Sequence, residues 1–129
     1  MSTPYTIKNL EQVDDSAVKF GFAEIGEARF ANDDLAAEDT GLSHHRLKPD
    51  PRQAFGHRHD EAEEVYVVLA GSGRVKLDDQ IAEIASLDAI RVAPGVTRCF
   101  EAGSEGLALL AFGAQHPGDG EIIPGWWSD

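Results

Sequence analysis

Short apolar runs, each bounded by Gly, Pro or Asp, recur along most of this chain and limit what it can fold into. They alternate with polar residues or stay apolar over strand-like lengths, and few stretches have helical periodicity. Clear examples are EVYVVLA (64–70), GRVKL (73–77), AIRVA (89–93) and LALLAFG (107–113). Strands this short and this often interrupted predict an all-β sandwich or a closed barrel, and closure removes exposed strand edges.

The remaining segments give weaker signals. VKFGFAEI (18–25) and LSHHRLK (42–48) are predicted as strands. The Asp-Asp step at 78–79 predicts a hairpin turn, and EAGSEGL (101–107) predicts another turn. Only two short segments look helical, NLEQVDDSA and NDDLAAE.

Composition bounds the class of protein. With 129 residues, 42% of them hydrophobic, we expect residues 1–129 to form one domain with a sizeable core. The net charge of −12 disfavours nucleic acid and anionic membranes as partners. No apolar run is long enough to span a membrane, and the N-terminus has no secretory pattern. Cys99 is the single cysteine, so a reducing cytoplasmic location is expected.

The stretch FGHRHDEAEEVYVVLAG (55–71) holds the main candidate site. His57 and His59 are spaced to project to the same side of an extended segment, and Glu64 begins the next strand. Two imidazoles and a carboxylate suit Zn, Fe, Mn or Ni, and with open positions they form a facial set. Tyr66 shares the face of Glu64, so we expect these four side chains to line the cavity.

This stretch resembles the first motif of the cupins, small β-barrels of the jelly-roll type. His57, His59, Glu64 and Gly71 fit that motif, although Pro51 stands where it usually begins with Gly. LDAIRVAPGVTR (87–98) resembles the second cupin motif, so the resemblance covers about residues 47–113. It implies a cupin-type double-stranded β-helix barrel, to which the N-terminal strands and the C-terminal tail are added. It also implies a homodimer, since small cupins commonly pair.

The second motif departs from the cupin pattern where its last metal ligand is expected. That position holds Arg98 instead of His, so the resemblance carries over three ligands: His57, His59 and Glu64. An arginine cannot ligate a metal, because it stays protonated and offers only donors. Arg98 either swings away, opposes the metal, or pairs with Glu64 and empties the site. A metal-loaded and a metal-free site therefore both stay open.

Other residues were weighed for the same cavity. One of His44 and His45 should face inward, where it could replace the missing ligand, although a wall position is the plainer interpretation. Arg98, Tyr66 and Phe100 are predicted to contact a ligand, with ordinary packing as the alternative for the two aromatic side chains. Trp126 and Trp127 are expected to anchor the C-terminal tail on the barrel or on a partner subunit.

Three functions fit these residues. The first is a binding module for a small polar or anionic organic ligand, with a divalent metal (Zn, Ni, Fe or Mn) in the cavity or without one. The second is a metal-dependent enzyme, dioxygenase or isomerase-like, that uses the His/His/Glu site. The third is a metal-free structural or regulatory barrel. Fold resemblance alone does not choose among them.

Overall fold

Eight strands form most of the chain in the computed structural model, which describes residues 4–128. They are β1 (Gly26–Phe30), β2 (Thr40–Leu47), β3 (Phe55–His59), β4 (Glu64–Leu77), β5 (Gln80–Ala85), β6 (Ala89–Val92), β7 (Arg98–Ala114) and β8 (Gly120–Pro124). Helix in this range is limited to a 3₁₀ turn (Leu10–Gln12) and two four-residue helices, α1 (Ser16–Lys19) and α2 (Asn32–Leu35). The prediction of an all-β chain with short helical pieces is confirmed.

All eight strands belong to one antiparallel sheet that curls around the core. Strand β7 is its centre, because it pairs with β2, with β4 and, at its first residue, with β3. Strand β4 carries β6 along its first half and β5 along its second half, and β8 lies beside β3. This arrangement brings the start of β4 and the start of β7 close to β3, where the candidate ligands lie.

The inner face of the sheet holds the core. Its buried members are mainly aliphatic and come from five strands: Leu47, Tyr66, Val68, Val75, Ile84, Val92, Phe100, Ala102, Leu107, Leu109 and Ala111. Full burial of a side chain of this size contributes about 1.5–3 kcal/mol to folding, so the packed interior is the main driving force. The site described below is a polar region at the border of this core.

Two of the local predictions are wrong. Residues 18–25 form the end of α1 and a series of turns instead of a strand. The side chain of Asp15 accepts a hydrogen bond from the N–H of Ala17, which starts the helix, and Gly21 turns the chain with a φ of 83°. The predicted turn at 101–107 lies inside β7, where the sequence Gly-Ser-Glu-Gly permits a bend without ending the strand.

The C-terminal tail packs on the outside of its own barrel. Trp127 is only 9% exposed and lies under the guanidinium of Arg52, which is 4.4 Å from the ring centre. Trp126 covers Gly56, where a Cβ would lie 2.7 Å from the indole ring, and Lys76 lies 4.5 Å from the same ring. The two indole rings of the tail therefore lie against residues of their own chain. Between residues 4 and 128, no helix has the length and apolar character needed to cross a membrane.

Candidate metal centre

The structure brings His57, His59 and Glu64 together. The two histidines project to one side of β3, and Glu64 is the first residue of β4. His57 Nε2 lies 3.8 Å from Glu64 Oε1, and His59 Nε2 lies 3.9 Å from Glu64 Oε2. One ligand atom from each residue lies within 4.8 Å of the other two, and this is the one such group among residues 4–128. The donor set and its spacing fit a divalent metal.

Glu64 accepts hydrogen bonds from two side-chain donors at one of its oxygens. The Nη2 of Arg98 donates to Oε1 at 2.6 Å, and the hydroxyl of Tyr66 donates to the same oxygen at 2.5 Å. Burial alone would raise the pKa of this carboxyl, but the nearby His57 and the hydrogen bonds from Tyr66 and Arg98 outweigh it and hold the pKa far below its usual value. Glu64 is therefore ionised, and its Oε2 is turned toward His59.

Arg98 pairs with Glu64, which is one of the three outcomes expected from the sequence. Its Nε donates to the Tyr66 hydroxyl at 3.1 Å and its Nη1 to the Val96 carbonyl at 3.0 Å. The side chain has no exposed surface. The guanidinium thus makes three hydrogen bonds within the protein and presents no free donor fork for a ligand.

Tyr66 and Phe100 pack against each other, with ring centres 4.7 Å apart. Both are almost fully buried, at 2% and 0% exposure. Burial, followed by the charge of Glu64, raises the pKa of Tyr66, so its hydroxyl stays protonated. Packing accounts for both rings, and contact of Arg98, Tyr66 or Phe100 with a ligand stays a prediction.

The two adjacent histidines of β2 lie on opposite faces of the sheet. His45 is the inward one: its Nε2 lies 2.9 Å from the Ser43 hydroxyl, and its ring meets that of Phe30 edge to face. Burial, and then the nearby His57, lowers its pKa to about 4, so the ring is neutral at pH 7. His45 is not part of the three-residue group and does not replace the missing ligand in this geometry.

A fourth functional residue, Asp119, was not predicted from the sequence. It lies in the loop between β7 and β8, and its Oδ1 is 2.8 Å from His59 Nδ1. Its Oδ2 accepts hydrogen bonds from the backbone N–H groups of Glu61 and Ala62. These contacts, that with His59 above all, lower the pKa of Asp119 to about 2. The two residues are 60 positions apart, and no local pattern connects them.

Comparison with known proteins identifies the fold. A cupin protein from Bacteroides fragilis is 22% identical and superposes with a TM-score of 0.72 over 91% of this chain and 89% of that one. Oxalate decarboxylase from Bacillus subtilis is also 22% identical with a TM-score of 0.72, but the match covers 90% of this chain and 32% of that chain. A sugar phosphate isomerase from a cupin superfamily, from Silicibacter pomeroyi, is 16% identical with a TM-score of 0.70, over 87% of this chain and 77% of that one.

No family model matches the sequence, and no curated protein matches it. Sequence identities of 22% and below establish the fold alone. The chain therefore has the cupin fold, and the jelly-roll barrel expected from the two sequence motifs is confirmed. The ligand atoms of His57, His59 and Glu64 could together hold a divalent metal.

Proposed function

We propose that this protein binds a divalent transition metal through His57, His59 and Glu64, and that a small polar or anionic organic molecule binds at the metal's open positions. The observation that carries the proposal is the convergence of the three ligand atoms within 4.8 Å. Zn, Ni, Fe and Mn all suit two imidazoles and a carboxylate. When bound, the metal would supply a Lewis acid that attracts and polarises an oxygen ligand.

The Arg98–Glu64 pair is compatible with a metal because a carboxylate has two oxygens. Oε1 accepts from Arg98 and Tyr66, whereas Oε2 is the oxygen nearer His59. The guanidinium still costs affinity. Two unit charges about 5 Å apart at an effective dielectric near 20 interact by roughly 3 kcal/mol, and a dication feels about twice that. We therefore expect Arg98 to weaken metal binding without preventing it.

The buried state of Arg98 also bears on the organic ligand. With no exposed surface, its guanidinium reaches a ligand only if Glu64 or Tyr66 moves. Attraction of an anion to this site therefore depends chiefly on the metal, and on Arg98 as a fixed charge behind it. A small carboxylate such as acetate should bind the metal-loaded protein more tightly than the metal-free protein.

A metal-dependent enzyme, dioxygenase or isomerase-like, is the second candidate. His45 favours it, because a neutral imidazole next to the metal-binding group could accept a proton from a bound molecule. Two of the structural neighbours are named as a decarboxylase and an isomerase, which makes such chemistry compatible with the fold. A metal-free structural or regulatory barrel is the third candidate, since Arg98 already balances the charge of Glu64.

Calorimetric titration of chelator-stripped protein with Zn²⁺, Ni²⁺ and Mn²⁺ tests the proposal. Arg98→His should bind at least about tenfold more tightly than the native chain, equivalent to about 1.4 kcal/mol, because it adds a ligand and removes a charge. Arg98→Ala should gain less, since it only removes the charge. His57→Ala should abolish binding in either background, while His116→Ala, which alters a histidine with a 40% exposed side chain, should change nothing.

Two results would contradict the proposal. Absence of binding by the native chain and by Arg98→His would support the metal-free barrel. Equal affinities for the native chain and Arg98→His would show that Arg98 does not limit the site.

A further inference from the structure

One carboxylate outside the three-residue group controls the geometry of two of its members. Asp119 Oδ1 contacts His59 Nδ1 at 2.8 Å, and Oδ2 accepts from the N–H groups of Glu61 and Ala62 at 3.1 and 3.0 Å. The side chain of Asp119 is only 9% exposed. A single side chain from the β7–β8 loop thus fixes both the ring of His59 and the turn that leads into Glu64.

The contact with His59 determines which ring nitrogen carries the proton. An ionised carboxylate can only accept hydrogen bonds, so His59 Nδ1 must donate. In the neutral ring, Nε2 then keeps its lone pair, and this is the atom that lies 3.9 Å from Glu64 Oε2. His57 has no such partner: among residues 4–128, Glu64 is the one carboxylate within ion-pair distance of it. Only His59 is therefore prepared for a metal by a second carboxylate.

We propose that Asp119 is a positioning residue that holds His59 in the tautomer with a bare Nε2 and thereby sets the affinity of the site for a divalent metal. The affinity consequence rests on the proposed metal-binding function. The physical reason is that a metal needs the lone pair of Nε2 in a fixed direction. Ordering the ring before the metal arrives removes an entropic and a tautomeric cost from binding, and the negative charge makes the ring a stronger donor.

The contacts of Asp119 with the turn before β4 should also favour metal binding. Residues 60–63 connect β3, which carries both histidines, to β4, which begins with Glu64. The backbone N–H groups of Glu61 and Ala62 are held by Asp119, so the distance between the two strands at this end depends on the β7–β8 loop. Loss of Asp119 should therefore loosen the Glu64 side of the site as well as the His59 ring.

Metal titrations of Asp119 variants test the affinity consequence. Asp119→Ala removes both contacts and should weaken binding of Zn²⁺ and Mn²⁺ by about tenfold to a hundredfold. Asp119→Asn keeps one acceptor oxygen and should fall between Asp119→Ala and the native chain. Asp60→Asn is the matched control, because it removes the same unit charge from the turn that Asp119 contacts, and its side chain pairs with Arg58 instead of His59. The side chain of Asp60 is 66% exposed, so the metal affinity of Asp60→Asn should stay within about twofold of native.

A tautomer measurement on the metal-free native protein tests the positioning role directly. Long-range ¹H–¹⁵N correlation spectra should show His59 with a proton on Nδ1 and none on Nε2, and Asp119→Ala should show a mixture of tautomers. A loss of stability alone would not change the tautomer of a folded protein. The native spectrum requires neither a bound metal nor a variant that folds.

The outcomes separate this inference from the proposed function. A His59 protonated on Nε2 in the native protein overturns the inference whether or not metal binds. Metal affinities for Asp119→Ala within about threefold of native overturn the affinity consequence, while the proposed metal-binding function would stand. A native chain that binds no metal overturns the proposed function and the affinity consequence together. A tautomer that is fixed in the native protein and lost in Asp119→Ala supports the positioning role in every case.

Discussion

Arg98 distinguishes this site from a plain three-ligand centre, because it adds a buried positive charge beside Glu64. It has no exposed surface, and its charge is balanced by Glu64 at 2.6 Å. A buried ion pair contributes little net stability compared with apolar packing, but breaking it leaves one charge without a partner. The consequence is that Arg98 and Glu64 should behave as one unit in the metal-free protein.

Substitution of one partner of this pair should destabilise the protein more than substitution of both. Arg98→Met and Glu64→Gln should each lower the free energy of unfolding by roughly 3 kcal/mol. The double variant should recover at least about 1 kcal/mol of the summed loss. Urea denaturation in the presence of a chelator measures all three.

The surface pair Arg91–Glu63 is the control for this cycle. Its side chains are 65% and 56% exposed, so Arg91→Met and Glu63→Gln should each change stability by less than about 0.5 kcal/mol. Strict additivity of the two losses at Arg98 and Glu64 would contradict the description of the pair as one unit.

His45 should make folding stability depend on pH. Its pKa falls from 6.5 to about 4 on folding, because burial disfavours the charged ring. As pH drops, the unfolded chain therefore takes up the proton first. Stability is fully present above pH 6.5, is lost as pH falls toward 4, and changes no further below that. The shift corresponds to a loss of roughly 3 kcal/mol.

Denaturation of His45→Gln between pH 7.5 and pH 4 measures this contribution, because the variant lacks the titrating ring. The stability difference between native and variant should shrink as pH falls. A pH-independent difference for His45→Gln would contradict the assignment.

Residue-level prediction succeeded where strand alternation was sufficient. His57, His59 and Glu64 were found because residues two apart on a strand face the same way, and because the next strand begins at Glu64. Asp119 could not be found this way, since its contact with His59 depends on how a distant loop folds back. For Arg98, the motif indicated the position and left three outcomes open, and only tertiary packing decided among them.

At the scale of the element, the two long strands were the hardest to predict. The sequence indicates separate strands at 64–70 and 73–77, and again at TRCFEA (97–102) and 107–113, with glycines between them. In the structure each pair is one continuous strand, β4 and β7, and the register between them shifts near Gly71 and Gly73. Glycine can signal a turn or a β-bulge, and local sequence does not distinguish the two. The pairing of β4 with β7 determines whether a glycine ends a strand or forms a bulge within it.

Two glycines with positive φ allow the cost of close packing to be distinguished from the cost of backbone strain. Gly71 has a φ of 81°, and a Cβ there would lie 2.1 Å from the carbonyl oxygen of Gly106. Gly95 has a φ of 86°, but a Cβ there would meet nothing within 4 Å. Gly95→Ala should cost about 1–2 kcal/mol from strain alone. Gly71→Ala should lower the free energy of unfolding by about 1–3 kcal/mol more than Gly95→Ala, because the added methyl group also overpacks the contact with Gly106.

Thermal or urea denaturation of the two alanine variants measures this difference. Equal losses at the two positions would show that β4 and β7 can separate at the bulge without cost.

At the scale of the whole molecule, the cupin fold could be predicted because two motifs occur in the right order. Strand boundaries at the N-terminus could not, since residues 18–25 have apolar character without being buried. Val18 and Phe20 are 64% and 68% exposed. Hydrophobic pattern predicts a strand only when a neighbouring strand covers it, and here a cap at Asp15 and the turn at Gly21 take the chain elsewhere.

Pairing of two chains is a further prediction at this scale, and the structure narrows where it would occur. Trp127 is buried in its own chain, so the tail offers little for an interface. The extended segment before the 3₁₀ turn exposes Tyr5 at 74% and Ile7 at 91%, which is costly for apolar groups left in water. We expect a homodimer in which this segment contacts the second chain.

The charge of the molecule sets how this dimer should respond to salt. Each chain carries −12, so two chains repel each other, and ions screen that repulsion. Sedimentation at micromolar concentration should therefore show more dimer at about 0.5 M salt than at about 0.05 M. At the lower concentration the repulsion between the two chains is screened less. Ile7→Asp should shift the protein toward monomer at both, because it places a charge in the proposed contact. Ile122→Asp adds the same charge at a residue that is 59% exposed on β8 and should leave the dimer intact. A monomer at both salt concentrations would contradict the dimer, and equal effects of the two variants would place the contact elsewhere.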